Sequence, residues 1–356
     1  MKKILLVGGG TAGHIDPALA VGDWFRENKR EYSIEFLGTK NGLEKELVNR
    51  AGFKLHFINK VQAPRKLDIS AILFPFKFAI AFGKSLILIS KFEGVIGFGG
   101  YVSAPAYLAS KLLGKKLLIH EANAKPGWAN RFGKRFADQT LLAFPVESPG
   151  WEKAKVTGMP LSRKFINNVE LPAEAKLKIR NDFLTEISLE IDKKVILVFG
   201  GSLGANKINE NLISIKNELM KLGYQIVLSS GKNSTIESQP GFYATPYLYE
   251  MERTYLAADY VVARSGAVTC AQLEELGLPA LLIPLSIGNG EQAANAKILA
   301  ASGQAKILNN NELTPETLLK NLEELMNSAK ARQPMGRSIH HNGVEHLVQS
   351  YLAIVK

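Results

Sequence analysis

Cysteine is almost absent from this chain of 356 residues: Cys270 stands alone. That excludes an internal disulfide framework and a cysteine-built zinc site, and it suits a reducing compartment. Long uninterrupted apolar runs are scarce near the start. The opening MKKILLVGGG has two lysines and then a run of apolar residues, Ile4, Leu5, Leu6 and Val7, which Gly8, Gly9 and Gly10 close. The run is too short for the apolar region of a secretory signal, so it reads as a first buried strand of a cytoplasmic protein. Low-complexity tracts and short-period repeats are missing. A hydrophobic content of 46% with 22% charged residues belongs to a folded chain, not a disordered one. No Asp-x-Asp pair occurs and the histidines show no ligand spacing with carboxylates, so no metal is expected. Acidic residues are in deficit, 33 against 44 Lys and Arg, a net charge of +11. That excess suits nucleic acid, an anionic membrane surface or a phosphorylated substrate, and the placement of the lysines must decide.

What is present is a strand–helix alternation that starts at the first residues. Apolar runs at 4–7, 33–37, 54–58, 94–98 and 116–120 read as strands, with helices at about 17–28, 43–51 and 103–113 between them. The rhythm breaks at the Gly158-Met159-Pro160 turn, passes a charged, glycine-poor stretch over 173–194, and restarts with a strand at 195–199. A helix over 207–222 follows, then strands at 225–229, 259–263 and 280–283, and a last helix over 341–355. This pattern predicts an α/β fold of two parallel-sheet domains, 1–160 and 161–340, and a C-terminal helix (341–356) able to pack back on the first. Ligands of such sheets bind outside the carboxyl ends of the strands.

Two glycine-rich turns sit at such ends. Gly8-Gly9-Gly10-Thr11-Ala12-Gly13 satisfies the G-x-G-x-x-G pattern of dinucleotide sites. Such a site also wants a carboxylate at the end of the second strand, and Leu37-Gly38-Thr39 supplies none, which argues against an NAD-dependent oxidoreductase. The bland alternative is a tight turn whose glycines serve close packing. His14 follows directly. It is either a group for proton chemistry on a polar substrate or a residue that merely caps the turn. The second turn, Gly200-Gly201-Ser202-Leu203-Gly204, joins a buried strand to a helix, and its free N–H groups, the helix dipole and the Ser202 hydroxyl suit a diphosphate. Ala205 and Asn206 follow in place of Lys and Ser/Thr, so it is not a P-loop.

With both turns in view, six ordered segments line up with one family: 8–20 (GGGTAGHIDPALA), 97–110 (GFGGYVSAPAYLAS), 120–131 (HEANAKPGWANR), 200–209 (GGSLGANKIN), 263–284 (ARSGAVTCAQLEELGLPALLIP) and 291–296 (EQAANA). The chain resembles the bacterial cell-wall N-acetylglucosaminyltransferases of the MurG family along nearly its whole length. The resemblance implies the GT-B fold, two Rossmann-like domains facing across a cleft. It further implies an inverting transfer of N-acetylglucosamine from UDP-GlcNAc to the muramyl 4-hydroxyl of lipid I, forming lipid II with no metal or other cofactor. It makes His14 the candidate base, or a group orienting the acceptor, with Thr11, Ala12 and Gly13 contacting substrate through the backbone. Asn123 would reach the donor sugar and Ser202 the diphosphate. Leu248, Ala267, Val268, Thr269, Cys270, Ala271, Gln272 and Gln292 match positions that hold uracil, ribose and sugar.

Residue by residue, blander readings stay open: Asn123 as a turn residue, 267–272 as a plain helix start, Gln292 as a solvated surface group. Three departures from the family pattern bear on the donor. Ala12 replaces a glycine; Arg163, the residue the resemblance would set on the donor phosphate, falls one residue late after Thr157-Gly158-Met159-Pro160-Leu161-Ser162; and Gln272 stands where the family has a glutamate for the ribose hydroxyls. Glutamine accepts a hydrogen bond through its carbonyl but loses the charge-assisted strength, so weaker UDP binding is expected. The rival functions are another GT-B transferase acting on a glycolipid or small molecule, and a non-catalytic nucleotide-sugar-binding protein.

The stretch over 69–92, ISAILFPFKFAIAFGKSLILISKF, reads as no membrane span, because Pro75, Lys77, Lys84 and Lys91 interrupt it. The lysines recur every seven residues and so form one stripe of a helix, with Phe74, Phe78, Phe82, Leu86 and Ile89 on other faces. One reading is a helix lying on a bilayer surface, with Arg65 and Lys66 adding attraction to anionic lipid. The other is a domain helix whose lysines are its solvated face. A lipid-linked acceptor favours the first and a place on the cytoplasmic side of the cell membrane; no nucleic-acid partner is expected.

Overall fold

The computed structural model describes residues 1–64, 69–201, 204–232, 234–285, 289–328 and 338–355. They form two compact units: Met1–Arg163 with Ile339–Lys356, and Lys164–Ser338.

The first unit is built around β1 (Lys2–Gly8), whose Ile4, Leu5, Leu6 and Val7 are all fully buried. A strand buried on both faces reads as a continuous apolar run, and here the alternation divides it between two cores. Ile4 and Leu6 face a cluster with α1 (Ala12–Asn28), α2 (Glu44–Arg50) and the C-terminal helix; Leu5 and Val7 face one with α3 (Ile69–Ile89) and α4 (Ser103–Leu112). Around β1 lie β2 (Tyr32–Gly38), β3 (Lys54–Phe57), β4 (Gly94–Gly99), β5 (Lys116–Glu121), β6 (Gln139–Leu142) and β7 (Lys155–Val156), in the spatial order β3-β2-β1-β4-β5-β6-β7. The short helix α5 (Trp128–Gly133) follows β5. Every ladder between these strands is parallel.

The second unit opens at Lys164 within α6 (Arg163–Glu170), continues with α7 (Ala173–Glu186), then runs β8 (Lys194–Phe199), α8 (Asn206–Lys221), β9 (Tyr224–Ser229), β10 (Phe242–Thr245), α9 (Met251–Ala257) and β11 (Tyr260–Ala263). It continues with α10 (Ala267–Leu276), β12 (Ala280–Leu282), α11 (Glu291–Ala301), β13 (Ala305–Ile307) and α12 (Pro315–Ser328). Its sheet has the order β10-β9-β8-β11-β12-β13, again parallel throughout. The α/β class with two parallel-sheet units is as the strand–helix rhythm predicts. In each sheet the strand order reverses beside the first strand, at β1/β4 and at β8/β11, and the two glycine-rich turns leave from those switch points.

The last helix, α13 (Gly343–Ile354), belongs to the first unit: Val344, Leu347, Val348 and Tyr351 enter the core that holds Phe25, with Phe25 and Tyr351 edge to face. Gly343 packs so closely on Met159 that a Cβ would lie 2.2 Å from its carbonyl oxygen.

Two local readings need correction. Helix α1 starts at Ala12, not near Pro17, which lies inside it. Helix α3 runs unbroken through Pro75, Lys77 and Lys84, ends before Lys91, and is long and apolar enough to cross a membrane by length and composition. Its Phe74, Phe78, Phe82, Leu86 and Ile89 do not face outward. They pack into the unit's own core, Phe74 against Trp128 and Phe78 against Phe132. A second stripe, Ile69, Ile72, Leu73, Phe76, Ile80 and Ile87, is exposed instead.

Candidate functional site

In the first unit the turn after β1 holds the sequence-predicted His14. Thr11 stands at the head of α1 in extended conformation and no side chain caps the helix, so its first amides and dipole face outward. The Thr11 hydroxyl lies 3.0 Å from His14 Nδ1. In the tautomer whose Nδ1–H donates to that hydroxyl, Nε2 carries the free lone pair, and among the described residues no partner occupies it. The ring sits against Gly99, where a Cβ would lie 3.2 Å from His14 Cδ2 and from Asn130 Nδ2. Burial lowers the His14 pKa to about 4 against a raising field from Glu44, so the imidazole is neutral at physiological pH. The turn 8–13 and the turn after β4 touch directly: Gly10 meets the Tyr101 ring, and a Cβ at Gly100 would lie 2.1 Å from Gly9 O.

A second cluster lies at the end of β5. The buried Glu121 carboxylate accepts from Asn123 N (2.9 Å), Asn123 Nδ2 (3.2 Å), Gly127 N (3.1 Å) and Asn130 Nδ2 (3.0 Å). Burial pushes its pKa up, while these donors pull it down. Asn130 accepts from the Tyr107 hydroxyl at 2.8 Å, and that hydroxyl accepts from Gly99 N at 3.1 Å. One hydrogen-bonded network therefore joins the Asn123 loop to Gly99, against which the His14 ring sits.

In the second unit the turn after β8 packs against the end of β9. Gly201 and Gly204 have positive φ of 96° and 76°, and a Cβ on Gly204 would lie 2.6 Å from Ser230 O. Helix α8 behind it has no side-chain cap. Ser202 lies outside the described residues. At the head of α10, again uncapped, Ala267, Cys270 and Ala271 are buried, leaving Val268, Thr269 and Gln272 with side chains partly open. Gln272 Oε1 accepts from the Tyr255 hydroxyl at 3.1 Å. Gln292 Oε1 accepts from Leu285 N at 2.9 Å, and Gln292 O accepts from the Ser265 hydroxyl at 2.8 Å, so this residue pins a loop instead of standing solvated. Leu248 is buried. Arg163 belongs to the first unit, largely exposed, 4.0 Å from Glu27. Among the described residues no group of three His, Cys, Asp or Glu could hold a metal ion.

Residues 4–142 match the glycosyltransferase family 28 N-terminal domain, and residues 195–351 match the C-terminal domain of the same family. A Corynebacterium efficiens protein named UDP-N-acetylglucosamine–N-acetylmuramyl-(pentapeptide) pyrophosphoryl-undecaprenol N-acetylglucosamine transferase is 37% identical over 327 residues, 91% of this chain and 88% of the relative. A Mycobacterium sp. protein of the same name is 34% identical over 366 residues, 99% of this chain and 96% of the relative. The chain belongs to the MurG family of glycosyltransferases.

Among solved structures, Acinetobacter baumannii MurG superposes with a TM-score of 0.76 at 28% identity, covering 99% of this chain and all of that one. The UDP-GlcNAc 2-epimerase of Neisseria meningitidis reaches a TM-score of 0.64 at 16% identity, covering 99% of this chain and 100% of that chain, which shows the shared fold alone. The MurG-family chain thus has the GT-B fold. Reading the sequence missed Glu44, Tyr101, Glu121 and Asn130. For Glu44 the available signal was Gly38-Thr39-x-x-Gly42-x-Glu44, a second glycine-flanked turn directly after a strand.

Proposed function

We propose that this chain transfers N-acetylglucosamine from UDP-GlcNAc to the muramyl 4-hydroxyl of lipid I with inversion, giving lipid II. One observation carries the chemistry: an imidazole anchored through Nδ1 by Thr11, with Nε2 unpartnered, at the uncapped head of α1. The acceptor O–H gives its proton to His14 Nε2 while its oxygen bonds to the anomeric carbon. The bond from that carbon to the diphosphate breaks, and UDP departs with the electron pair. The amides of Thr11, Ala12 and Gly13 line the same turn, and Asn123, which Glu121 holds, would meet the sugar.

The second unit takes the donor. The uncapped helix starts at α8 and α10 suit the diphosphate, and Ser202 would add a hydroxyl. Leu248, Ala267, Val268, Thr269, Cys270, Ala271, Gln272 and Gln292 would frame uracil, ribose and sugar, with the buried members acting through backbone. Arg163 is the weakest of these assignments, since it pairs with Glu27 in the first unit. UDP release from UDP-GlcNAc, with and without a lipid I analogue, tests the reading. Acceptor-dependent release by the wild type and its loss in His14→Ala are expected. No release at all would favour a nucleotide-sugar-binding protein, and release that does not depend on the acceptor would mean hydrolysis of the donor, not transfer to lipid I.

The first unit is also the membrane-facing one in this reading, on the cytoplasmic side and peripheral. The exposed stripe Ile69, Ile72, Phe76, Ile80 and Ile87 supports it, with Lys77 and Lys84 exposed at its flank and Lys91 just beyond the helix. Arg65 and Lys66 lie outside the described residues. A basic, aromatic recess of about 580 Å³, lined by Trp128, Arg131, Phe132, Lys134, Arg135 and Trp151, adjoins the helix through Trp128 and Phe132. Co-sedimentation with anionic vesicles at low salt is expected; its absence would remove this part.

A further inference from the structure

We infer that Glu44 is a positioning residue of the first glycine-rich turn: its buried carboxylate fixes the turn's shape and supplies the negative charge beside which His14 becomes an imidazolium. This deepens the assignment of His14 as the base and rests on it.

The geometry comes first. Glu44 is 1% exposed and sits at the start of α2, far from the turn in sequence. Its Oε2 accepts from Gly10 N at 3.1 Å; its Oε1 accepts from Thr39 N and from the Thr39 hydroxyl, each at 2.7 Å. Glycines from three places make room for it. A Cβ would lie 2.9 Å from the carboxylate at Gly9, 2.4 Å from Glu44 Cγ at Gly38, and 2.1 Å from Oε2 at Gly42. Burial pushes the Glu44 pKa up, but the hydrogen bonds from Thr39, from its own amide and from Gly10 outweigh burial, so the group is held below the usual carboxylate range. A buried carboxylate kept ionised costs folding energy. Its own amide and the pair at Thr39 serve the start of α2, while Gly10 N reaches the turn that carries His14.

The electrostatics follow. Burial dominates at His14, and Glu44 is the charged group whose field opposes it. Of the other groups around the imidazole, Thr11 and Asn130 are neutral, Asp16 on the same helix has its pKa pushed up to about 7 by desolvation and so is neutral where His14 titrates, and Lys60 lies over the Tyr101 ring at 4.0 Å. When Nε2 takes the acceptor proton, the new cation forms in the field of a fixed anion that needs no reorganisation. A purely structural Glu44 would tie α2 to Thr39 and nothing more.

Glu44→Gln removes the charge and keeps one acceptor oxygen, so either Gly10 N or the Thr39 pair loses its acceptor. We expect kcat to fall about tenfold, the melting temperature to fall with the lost buried acceptor, and the UDP-GlcNAc KM to stay close to wild type. The acid limb of the kcat–pH profile should move to lower pH, and the His14 imidazole, followed by NMR in the substrate-free protein, should titrate lower than the wild-type value of about 4. An unchanged titration overturns the inference, whether or not activity and melting temperature fall together. If Glu44→Gln does not fold, Gly9→Ala displaces the carboxylate instead, and should lower kcat and the His14 titration in the same direction. No change in either overturns it as well. The NMR titration reads Glu44 against His14 without turnover, so it stays decisive even if the wild type releases no UDP.

Discussion

The two glycine-rich turns have the same topology and opposite company. The turn after β1 is held by an anion, Glu44, through Gly10 N, and carries an imidazole with one nitrogen free. The turn after β8 has no carboxylate pinned to it among the described residues; Gly204 packs on Ser230 O, which accepts from Asn209 Nδ2 at 2.8 Å. At the end of the neighbouring strand β11 the half-buried Arg264 gives its guanidinium to Ile283 O (2.9 Å) and Asn310 Oδ1 (2.8 Å). Burial lowers its pKa, though guanidinium stays charged at any relevant pH. An anion beside a base favours a turn that receives a proton; bare amides with a buried cation nearby favour one that receives a diphosphate. A parallel strand–turn–helix unit is thus a neutral frame, and a few titratable side chains decide its use.

The sharpest way to break that contrast is His14→Ala. If the first turn is the proton-accepting one and the second unit takes the donor, kcat should fall about 10²–10⁴-fold, while the UDP-GlcNAc KM changes little. A KM that rises with an unchanged kcat would make the first turn a donor-binding element instead. In the wild type the acid limb of activity should lie near the His14 pKa of about 4, because the base works only when neutral. A limb at the ordinary histidine value would mean that burial does not govern this ring.

The second test sharpens the division between units. Phe76 and Ile80 are exposed on α3, and a Phe76→Glu, Ile80→Glu pair should cut binding to anionic vesicles more than tenfold, since burying each apolar side chain is worth about 1.5–3 kcal/mol. Turnover of a water-soluble acceptor analogue should be retained. Vesicle binding equal to wild type would leave α3 as an ordinary domain helix.

How far the sequence revealed this is uneven, for physical reasons. The central strands were legible because β1 and β8 are apolar on both faces and end in glycines. The short strands β6, β7, β10 and β13 were not, since each mixes polar with apolar residues over two to four positions, whereas the equally short β11 and β12 are unbroken apolar runs. Helix α3 misled in a specific way: it is apolar nearly all round, so its pattern could not say which stripe, Phe74–Phe78–Phe82 or Ile72–Phe76–Ile80, meets the core. Its packing on α5 settles that. His14 was visible beside its motif, whereas Glu44 lies 30 residues on and acts through a fold that brings β2 beside β1. The end of β2 offers no carboxylate at Leu37-Gly38-Thr39, and the one that hydrogen-bonds to Thr39 lies 5 residues on, inside α2.

On the donor side the third test is Gly204→Ala. Positive φ costs a non-glycine residue about 1–2 kcal/mol, and the added Cβ also meets Ser230 O. UDP affinity should weaken about tenfold, in line with one to two kcal/mol of strain at the turn, with the first-unit pH limb unmoved. Calorimetry with UDP reads this without turnover; unaltered affinity would separate the turn from the diphosphate.

The smallest expected effect belongs to Gln272→Glu. Gln272 already spends its amide oxygen on the Tyr255 hydroxyl, so in the free protein a single acceptor serves one donor. A carboxylate has two oxygens, and one can keep Tyr255 while the other meets a ribose hydroxyl with charge-assisted strength. The UDP-GlcNAc KM should therefore fall a few-fold, roughly threefold to tenfold, and kcat should hold. A KM that is unchanged or higher would mean that Gln272 serves Tyr255 rather than the ribose, and that the donor's sugar ring is held elsewhere along α10.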